Sequence, residues 1–553
     1  MQDAPRGFRL SPQQRRRWHA RQGGSIECAQ CAVALEGPLD AVRLRAALQS
    51  IVDRHEILRT TFRRAPGLGA PIQVIERRGT FTWRKLAGDA PVAVDPAADP
   101  LADPFVDRLL DDDRRAPFDL EAGPMLRVSL LSSGRTHVLA LTLPALCADR
   151  RTLANLLREL CGAYGGGGDA SAGDVVQYVE YAEWQHQLLD GADAAEGLAF
   201  WRQRRAPPDR ELGLPGERRA EEGPLAPAPV GARLASEAAA RLEGIARDRG
   251  VPREVPLLAA LGVLLWRFTG STDVLVGCVV DGRRDPELQG GLGPFARTLP
   301  IGCRLDPRRP FRELVHQLAQ AYRAAHDLQE YQIDPADPAA PAPPVCFEAD
   351  RTDLPAAMGE LRLTGVRQHA HVDRCTLKLS CTRTADALAL TFHHREAALP
   401  RGIVEALCRA FVALLDRIAD DPDRRVEALE LLDGAVRRRV IVAWNATAVA
   451  RADARCLHEA FAAQAAREPA RVAVEQGAAA LTYGALNRRA NRVAHQLRGL
   501  GVGPEVVVGL CLPRSPELVV ALLAVLKAGG AYLPLDPGQP AARLRRMVAD
   551  ARP

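Results

Sequence analysis

Short apolar runs of strand length alternate along this chain with longer segments whose apolar residues recur at helical spacing. His137 to Leu143 (HVLALTL) has the length and composition of a buried strand, and Arg151 to Tyr164 carries an apolar stripe at helical intervals. In the second half, Val255 to Phe268 is an apolar helical segment and Asp273 to Val280 (DVLVGCVV) has the pattern of another buried strand. This alternation in both halves predicts an α/β fold, and no short internal repeat accompanies it.

Further segments continue the pattern, and loops separate them. The other predicted elements are a helix beginning near Ser11, a strand at Ala32 to Leu35, a helix from Asp40 to about His55, strands near Leu377 to Ser380 and Ala387 to Phe392, and a helix from Arg401 to about Ile418. Gly165 to Gly168 predicts a surface loop, and Ala206 to Gly231 predicts a connector between two halves. Asp334 to Pro344, rich in proline and alanine, predicts another loop.

Length and charge limit the classes of protein to which the chain can belong. At 553 residues it is too long for one ordinary core, and its 47% hydrophobic and 25% charged residues are typical of a soluble globular protein. The net charge of +5 forms no long basic block, so we expect neither nucleic acid nor a membrane as a partner. The N-terminus lacks the apolar segment of a secretory signal, and charged residues and prolines interrupt Val506 to Leu526, so we expect a cytoplasmic protein.

The chain has 12 cysteines, which in a cytoplasmic protein of this size are expected to be reduced and mostly buried. Cys28 and Cys31 form a lone CxxC pair with no second pair nearby. Burial in a strand or loop is therefore favoured over a zinc site, and no metal is expected.

Four segments, in order along the first three hundred residues, resemble signature motifs of peptide-synthetase condensation domains. They are LSPQQRRRW (Leu10 to Trp18), RHEILRTTF (Arg54 to Phe62), VEYAEWQ (Val179 to Gln185) and GPFARTLPI (Gly293 to Ile301), the last with Arg297 where the family usually has Asn. The tail resembles the linker and first motifs of an adenylation domain, in WNAT (Trp444 to Thr447), LHEAFAAQA (Leu457 to Ala465), LTYGALNRRANRVA (Leu481 to Ala494) and LKAGGAYLPLDP (Leu526 to Pro537). The chain thus resembles a fragment of a nonribosomal peptide synthetase.

This resemblance implies two chloramphenicol-acetyltransferase-like lobes in a V arrangement, followed by a partial α/β adenylation subdomain. The implied boundaries are 7–203 for the first lobe, 204–228 for a connector, 229–434 for the second lobe, 435–456 for a linker and 457–553 for the truncated adenylation part. In the family, two carrier-protein pantetheine arms enter a tunnel between the lobes, where the second His of an HHxxxDG loop assists the acceptor amine. Because the chain ends before the phosphate loop and late Lys of an adenylation domain, we expect this fragment to bind no cofactor itself.

The segment that occupies the HHxxxDG position is Pro144 to Arg150 (PALCADR), between the predicted strand and helix. Pro144 and Ala145 replace the two histidines, Asp149 matches the Asp, and Arg150 replaces the Gly. An alanine methyl group cannot accept a proton, and loss of a positioned base typically costs about 10²- to 10⁴-fold in rate. No catalytic residue is therefore assigned, and Arg150 is expected to crowd the tunnel.

Other residues in or near these motifs are candidates for the missing role. Cys147 is expected to be a buried thiol rather than a nucleophile, and His393 and His394 are expected to end a strand rather than to form a relocated site. His55 belongs to a segment with a structural role in the family. The resemblance also implies that Asp149 pairs with Arg59, so these two side chains are expected within salt-bridge distance of one another and largely buried.

Two functional classes follow from the resemblance. The first is a docking platform for a tailoring oxygenase, such as a β-hydroxylase (interface type) or a cytochrome P450 (X type), or for a carrier protein. The position before an adenylation domain favours the interface type. The second is an active condensation enzyme that joins carrier-bound aminoacyl thioesters with an altered loop. A relic that only spaces its neighbours stays open, whereas heterocyclisation and epimerisation are disfavoured by the loop residues.

The expected partners are carrier-protein domains that bear phosphopantetheine, a tailoring oxygenase, and the adenylation domain in cis. The expected pathway class is the synthesis of peptide natural products such as siderophores or antibiotics. The amino acid activated and the peptide made are outside what these residues specify.

Overall fold

The computed structural model describes residues 7–20, 27–64, 67, 69–87, 101, 103–166, 175–192, 194–204, 213–218, 229–332, 343–351, 355–370, 375–384, 387–432, 434–449 and 455–553. Most of the predicted connector 206–231 and of the predicted loop 334–344 lies outside these residues, as does part of the predicted loop 165–168. The chain divides into two compact units, residues 1–439 and 440–553.

The first unit contains fifteen strands among the described residues. They are β1 (Gly7–Phe8), β2 (Cys28–Glu36), β3 (Thr60–Arg63), β4 (Ile72–Ile75), β5 (Thr82–Ala87), β6 (Arg127–Ser133), β7 (Thr136–Pro144), β8 (Val230–Ala235), β9 (Asp273–Val280), β10 (Arg297–Arg304), β11 (Val345–Arg351), β12 (Ala357–Met358), β13 (Leu361–His369), β14 (Leu377–Arg383) and β15 (Ala387–His394). Every strand predicted from periodicity lies within or coincides with one of these elements.

The helices of the first unit alternate with these strands. They are α1 (Pro12–Ala20), α2 (Ala41–Arg54), α3 (Pro104–Arg115), α4 (Arg150–Gly165), α5 (Tyr178–Asp190), α6 (Ala194–Arg202), α7 (Ser236–Asp248), α8 (Val255–Thr269), α9 (Phe311–Asp327), α10 (Arg401–Asp420) and α11 (Gly434–Arg438). Their ends follow local chemistry: the Asp40 side chain accepts hydrogen bonds from the first amides of α2, and Gly270, with φ of 75°, ends α8 in the left-handed conformation.

Among the residues that the structure describes, two six-stranded mixed sheets organise the first unit. One has the strand order β12-β13-β2-β7-β6-β5 and the other β10-β9-β11-β14-β15-β8, while β1, β4 and β3 form a small separate sheet. In the second large sheet, β9, β11 and β14 are neighbouring parallel strands. Large apolar cores lie against each of the two large sheets, as an α/β layer architecture requires.

The two large sheets are not built from separate halves of the sequence. Strand β13 pairs antiparallel with β2, from Arg362 opposite Glu36 to His369 opposite Gln30, although it belongs to the segment predicted as the second lobe. This pairing covers the edge of β2, which would otherwise expose unpaired backbone groups. Strands β12 and β13 belong to the predicted second lobe, 229–434, but they form a hairpin within the sheet of the predicted first lobe, 7–203. The sequence-based division into lobes did not predict this exchange.

Strand alternation gives the second large sheet two chemically different faces. Phe347, Leu379 and Phe392 belong to the core that includes residues of α7, α8, α9 and α10. Their neighbours Glu348, Lys378 and His393 point to the opposite face, which is therefore charged although it is largely buried. This face borders the candidate site.

The second unit holds α12 (Leu457–Arg467), β16 (Val472–Gln476), β17 (Ala479–Thr482), α13 (Tyr483–Gly499), β18 (Val507–Leu510), α14 (Pro516–Ala528), β19 (Ala531–Pro534) and α15 (Ala541–Ala551). Strands β16 and β17 pair antiparallel, and β18 and β19 pair parallel. A small core around Leu486, Ala490 and Leu523 packs α13 against α14. These helices and strands make up a partial α/β subdomain, as the sequence predicted for this region.

Candidate functional site

The loop Pro144 to Arg150 connects the last residue of β7 to the first residue of α4. Its backbone is held by side chains of α1: Gln14 Nε2 donates to Leu146 O at 3.0 Å, and Arg17 Nη1 donates to Ala148 O at 3.2 Å and also to Ala145 O. Residues 145 to 149 are buried. The loop is therefore an integral part of the core, although it lacks the family's histidines.

Asp149 caps the start of α4 and accepts a full set of hydrogen bonds. Its Oδ1 accepts from Thr152 N at 2.7 Å and Thr152 Oγ1 at 2.8 Å, and its Oδ2 accepts from Ala296 N at 2.9 Å. Arg283 adds two further donors, Nη1 to Oδ2 at 3.0 Å and Nη2 to Oδ1 at 3.1 Å. Burial alone would raise the pKa of Asp149, but Arg283 and these hydrogen bonds lower it below its ordinary value.

The cation paired with Asp149 is Arg283, and the predicted pairing with Arg59 is wrong. Arg59 is the last residue of a short 3₁₀ turn, Glu56–Arg59, and its guanidinium donates to Glu76 O at 2.6 Å and lies 3.5 Å from Glu56 Oε1. It is thus directed towards the end of β4. Asp149 and Arg283 both have side chains that are 0% exposed.

Arg283 is hydrogen-bonded through every nitrogen of its guanidinium. It follows β9, and its Nε donates to Gly291 O at 3.1 Å while Nη2 also donates to Gly293 O at 3.1 Å. The guanidinium lies 4.2 Å from the centre of the Phe295 ring. Burial lowers the pKa of Arg283, but Asp149 and Asp281 reverse this effect and raise it, so the group is a fixed cation. One arginine therefore ties the loop after β9 to the start of α4.

The position of the missing base offers no proton acceptor. Ala145 is 6% exposed and carries only a methyl group, and Pro144 is the last paired residue of β7, opposite Cys28. Cys147 is fully buried, and burial raises the pKa of its thiol, which disfavours the reactive thiolate. Asp149 is an ionised carboxylate whose oxygens already accept five hydrogen bonds, so it cannot take over as a mobile base.

Arg150, in place of the family's Gly, reaches across to the charged face of the second large sheet. Its Nη2 donates to Thr382 Oγ1 at 2.9 Å, its Nε lies 3.3 Å from Asp350 Oδ2, and its Nη1 lies 3.6 Å from Glu348 Oε2. Thr382 lies on β14, and the two carboxylates lie on β11. Arg150 thus bridges the start of α4 to the second large sheet.

A cleft with a cavity volume of about 70 Å³ lies beside this bridge. Its lining includes Asp149 and Arg150 from the start of α4, Asp281 just after β9, Asp350 on β11, and Ala370 just after β13. Since one water molecule needs roughly 10–15 Å³ of such space, the cleft has room for a few water molecules. It lies at the carboxyl ends of the parallel strands β9 and β11, the usual place for binding sites in α/β sheets.

The buried pair of Glu348 and Lys378 completes the charged face. Lys378 Nζ lies 2.7 Å from Glu348 Oε2, and Ser380 Oγ donates to the same oxygen at 3.4 Å. Burial would raise the pKa of Glu348, but Lys378 and Arg150 lower it below the ordinary value. Glu348 is therefore charged and shared between two cations.

His393 and His394 end β15, as predicted from the sequence. Burial, with the nearby Lys378 ammonium as a second cause, lowers the pKa of His393 to about 3. His369, at the end of β13, also has its pKa lowered to about 3 by burial and by Arg114. The imidazoles of His369 and His393 are therefore neutral at physiological pH. His55 lies elsewhere, with Nε2 2.8 Å from Glu159 Oε2, where it links α2 to α4.

The CxxC pair and Arg297 occupy structural positions. Cys31 belongs to one core beside β2, whereas Cys28 Sγ faces Arg114 O on the other side of the strand, so the two sulfurs are on opposite faces. Within the described parts of the chain, no group of three or more His, Cys, Asp or Glu residues is arranged to hold a metal ion. Arg297 is buried and donates to Gln329 O at 2.7 Å and to Glu330 Oε2 at 2.9 Å.

Comparison with known proteins gives this arrangement a family. The family model described as a condensation domain matches residues 6–440, and the one described as an AMP-binding enzyme matches residues 461–553. The chain belongs to the condensation domain family. Within that family it is a condensation domain of a nonribosomal peptide synthetase, followed by the start of an AMP-binding domain.

Curated relatives of this condensation domain are longer assembly-line enzymes. The dimodular nonribosomal peptide synthase of Bacillus subtilis is 33% identical over 100% of the chain, and phosphinothricin tripeptide synthetase PhsB of Streptomyces viridochromogenes is 34% identical over 96%. The chain covers only 24% and 46% of these two relatives, respectively, and so spans less than half the length of each.

Solved structures show the same fold. A four-domain nonribosomal peptide synthetase bound to AMP and glycine matches 100% of the chain and 44% of its own length, with a TM-score of 0.77 and 18% identity. The complex of the X-domain and OxyB from teicoplanin biosynthesis matches 78% of the present chain and 98% of its own matched chain, with a TM-score of 0.59 and 24% identity.

The helices of the condensation domain and its tail were also compared with the length and hydropathy that a membrane span requires. None of the helices in the described residues meets both requirements.

Proposed function

We propose that this condensation domain does not form peptide bonds at a useful rate and instead serves as a docking platform for a tailoring oxygenase, such as a β-hydroxylase, or for a carrier protein. The observation that carries the proposal is Ala145, which leaves the position of the family's general base without a proton acceptor. The loop around it keeps a fully hydrogen-bonded Asp149, so loss of the base does not imply loss of the fold.

One comparison supports a platform, and the order of the domains bears on its type. The X-domain from teicoplanin biosynthesis, which shares the fold, forms a complex with OxyB. In the present chain the condensation domain is followed by the start of an AMP-binding domain, an order that favours the interface type of platform over the X type. Carrier partners would bring phosphopantetheine with their substrates, and no cofactor is assigned to the domain itself.

The first test measures peptide bond formation. The full chain is mixed with donor and acceptor amino acids loaded on their cognate carrier proteins, and the dipeptidyl product is followed by mass spectrometry. Without a positioned base we expect a rate at least about 10²-fold below that of an intact condensation domain under the same conditions. A comparable rate would refute the platform and favour the altered enzyme.

The second test measures docking. The full chain is titrated by calorimetry with candidate tailoring oxygenases from the same source organism, and separately with loaded and unloaded carrier protein. We expect saturable binding of at least one of these partners, with an intact condensation domain from another module as the matched control for the oxygenase. Absence of binding to all of them would leave the domain as a spacer and contradict the proposal.

A further inference from the structure

Arg150 is the first residue of α4, and its side-chain partners among the described residues lie on the other large sheet. Its guanidinium contacts Thr382 on β14 and both Glu348 and Asp350 on β11. The adjacent residue, Asp149, contacts Arg283 after β9. Asp149 therefore contacts the loop after β9, and Arg150 contacts the neighbouring parallel strands β11 and β14. These two residues join the start of α4, which follows the first large sheet, to the second large sheet along the cleft, and we call these two parts the halves of the first unit.

The charges in this contact are balanced. Asp149, Asp281, Glu348 and Asp350 face the cations Arg150, Arg283 and Lys378, and Arg151 also lines the cleft. Arg150 is 19% exposed, and its two acidic partners Glu348 and Asp350 are 9% and 34% exposed. Moving the Arg150 guanidinium out of this position would cost free energy, because Glu348 and Asp350 would each lose a cationic partner in a poorly solvated site.

The space that remains is small. The cleft's volume of about 70 Å³ fits a few water molecules, whereas a pantetheine arm is an extended chain many bonds long. A glycine at position 150, as in the family motif, would carry none of the atoms that now fill the cleft beside Asp350 and Glu348.

We propose that Arg150 clamps the two halves of the domain together and closes the cleft to the pantetheine arm of carrier-bound substrates. This inference rests on the proposed function in that it treats the cleft as the former substrate passage. It goes further, because it assigns exclusion of the arm to one side chain, separate from the loss of the base at Ala145.

The test measures access to the cleft by thiol–disulfide exchange. Ala370 lines the cleft, so A370C places a thiol inside it. Pantethine, the disulfide of pantetheine, forms a mixed disulfide with an accessible thiol and releases one pantetheine. Cys456 and Cys511 are exposed and serve as internal controls in the same molecule. Peptide mass spectrometry follows each site in A370C and in A370C/R150G, with A370C/R308G as the matched arginine-to-glycine control at an exposed turn.

We expect pantethine to modify position 370 at least tenfold faster in A370C/R150G than in A370C or A370C/R308G, with Cys456 and Cys511 unchanged. Equal rates at position 370 in all three variants would overturn the clamp. If R150G fails to fold, the A370C variant alone decides. For each reagent, the rate of modification at position 370 is divided by the rate at the exposed Cys511, and we expect this ratio to be far larger for the small reagent methyl methanethiosulfonate than for pantethine. Equal ratios for the two reagents would overturn the proposal.

These outcomes are independent of the test for condensation. A closed cleft together with a normal dipeptide rate would remove the platform proposal and show that the arm enters by another route. An open cleft together with no dipeptide would remove the clamp and leave the platform standing.

Discussion

The carboxylate of Asp149 and the guanidinium of Arg283 form a two-pronged ion pair, at 3.0 and 3.1 Å, with both side chains 0% exposed. The pair joins residues 134 positions apart in the sequence. Asp149 caps α4, and Arg283 also donates to the carbonyl oxygens of Gly291 and Gly293. The Asp of the degenerate motif is thus a structural anchor between the two halves of the condensation domain.

Replacing Arg283 should destabilise the domain strongly. R283L leaves the buried Asp149 carboxylate without its cation, and breaking one side of such a pair costs about 3–5 kcal/mol. R59A is the matched control, because Arg59 is bound by a main-chain carbonyl and a partly exposed Glu56, contacts worth about 1 kcal/mol. The free energy of unfolding, measured with a chemical denaturant, checks both variants. A larger loss for R59A than for R283L would contradict this assignment.

Much of the fold can be predicted from hydrophobic periodicity, but not all of it. Strand β9 has the bounds predicted for it, and α8 and α10 begin at the residues predicted. Strand β13 escapes prediction because LRLTGVRQH alternates apolar and polar residues only weakly and contains Gly365 at a register shift, so its pairing with β2 is decided by tertiary contact.

The candidate site can be predicted only in part. The location of the loop Pro144 to Arg150 follows from its place between a buried strand and a helix, and the remnant of the family motif is visible there. Arg283 escapes prediction because it and Arg284 are adjacent after β9, and no local pattern separates the buried arginine from the half-exposed one. Its only sequence signal is a position just beyond the carboxyl end of a buried strand.

Stability should fall as the pH drops below about 6.5, because of two neutral histidines. His369 and His393 have pKa values of about 3 in the folded protein, against an ordinary value of 6.5. The unfolded chain therefore binds more protons between these values, so the stabilising contribution is present above pH 6.5 and is lost towards pH 3. The loss approaches about 1.4 kcal/mol per pH unit for each histidine.

Burial is the main cause of the lowered pKa values, and nearby cations add to it. Arg114, Arg367 and Lys378 lower the pKa of His369 further, and Lys378 and Arg150 lower that of His393, whereas the Glu348 carboxylate raises the pKa of His393. Denaturant unfolding at pH 7.0, 6.0 and 5.0 measures the slope, and H369Q/H393Q should flatten it. H316Q is the control, because His316 is exposed on α9. An unchanged slope in the double variant would show that other groups carry the pH dependence.

Cys147 should be unreactive in the folded protein. Its side chain is fully buried, and burial raises the pKa of its thiol, so neither access nor thiolate formation favours alkylation. Iodoacetamide at pH 8 should label Cys456 and Cys511, which are exposed, and should label Cys147 only after unfolding. Peptide mass spectrometry distinguishes the sites. Labelling of Cys147 in the native state at a rate similar to Cys511 would reopen its role as a nucleophile.

Restoring the two histidines alone should not restore condensation. In P144H/A145H the base is present, but Arg150 still bridges to Glu348 and Asp350, and the cleft keeps its volume of about 70 Å³. The new imidazole at position 145 also enters a site where alanine is 6% exposed, an overpacking that typically costs about 1–3 kcal/mol. We therefore expect folded but inactive protein from this variant.

The triple variant P144H/A145H/R150G tests the two defects together. It supplies the base and removes the side chain that fills the cleft, so it should form dipeptide from loaded carrier proteins at least about 10²-fold faster than P144H/A145H, the lower end of the gain expected from a positioned base. R150G alone is the matched control and should stay inactive, because an open cleft without an acceptor for the proton lacks the family's chemistry. If P144H/A145H reaches the rate of the triple variant, Arg150 does not limit access and the base was the only defect. If neither variant gains activity while both remain folded, the loop has lost more than its histidines and its glycine, and the substrate-binding surfaces of the passage have also diverged.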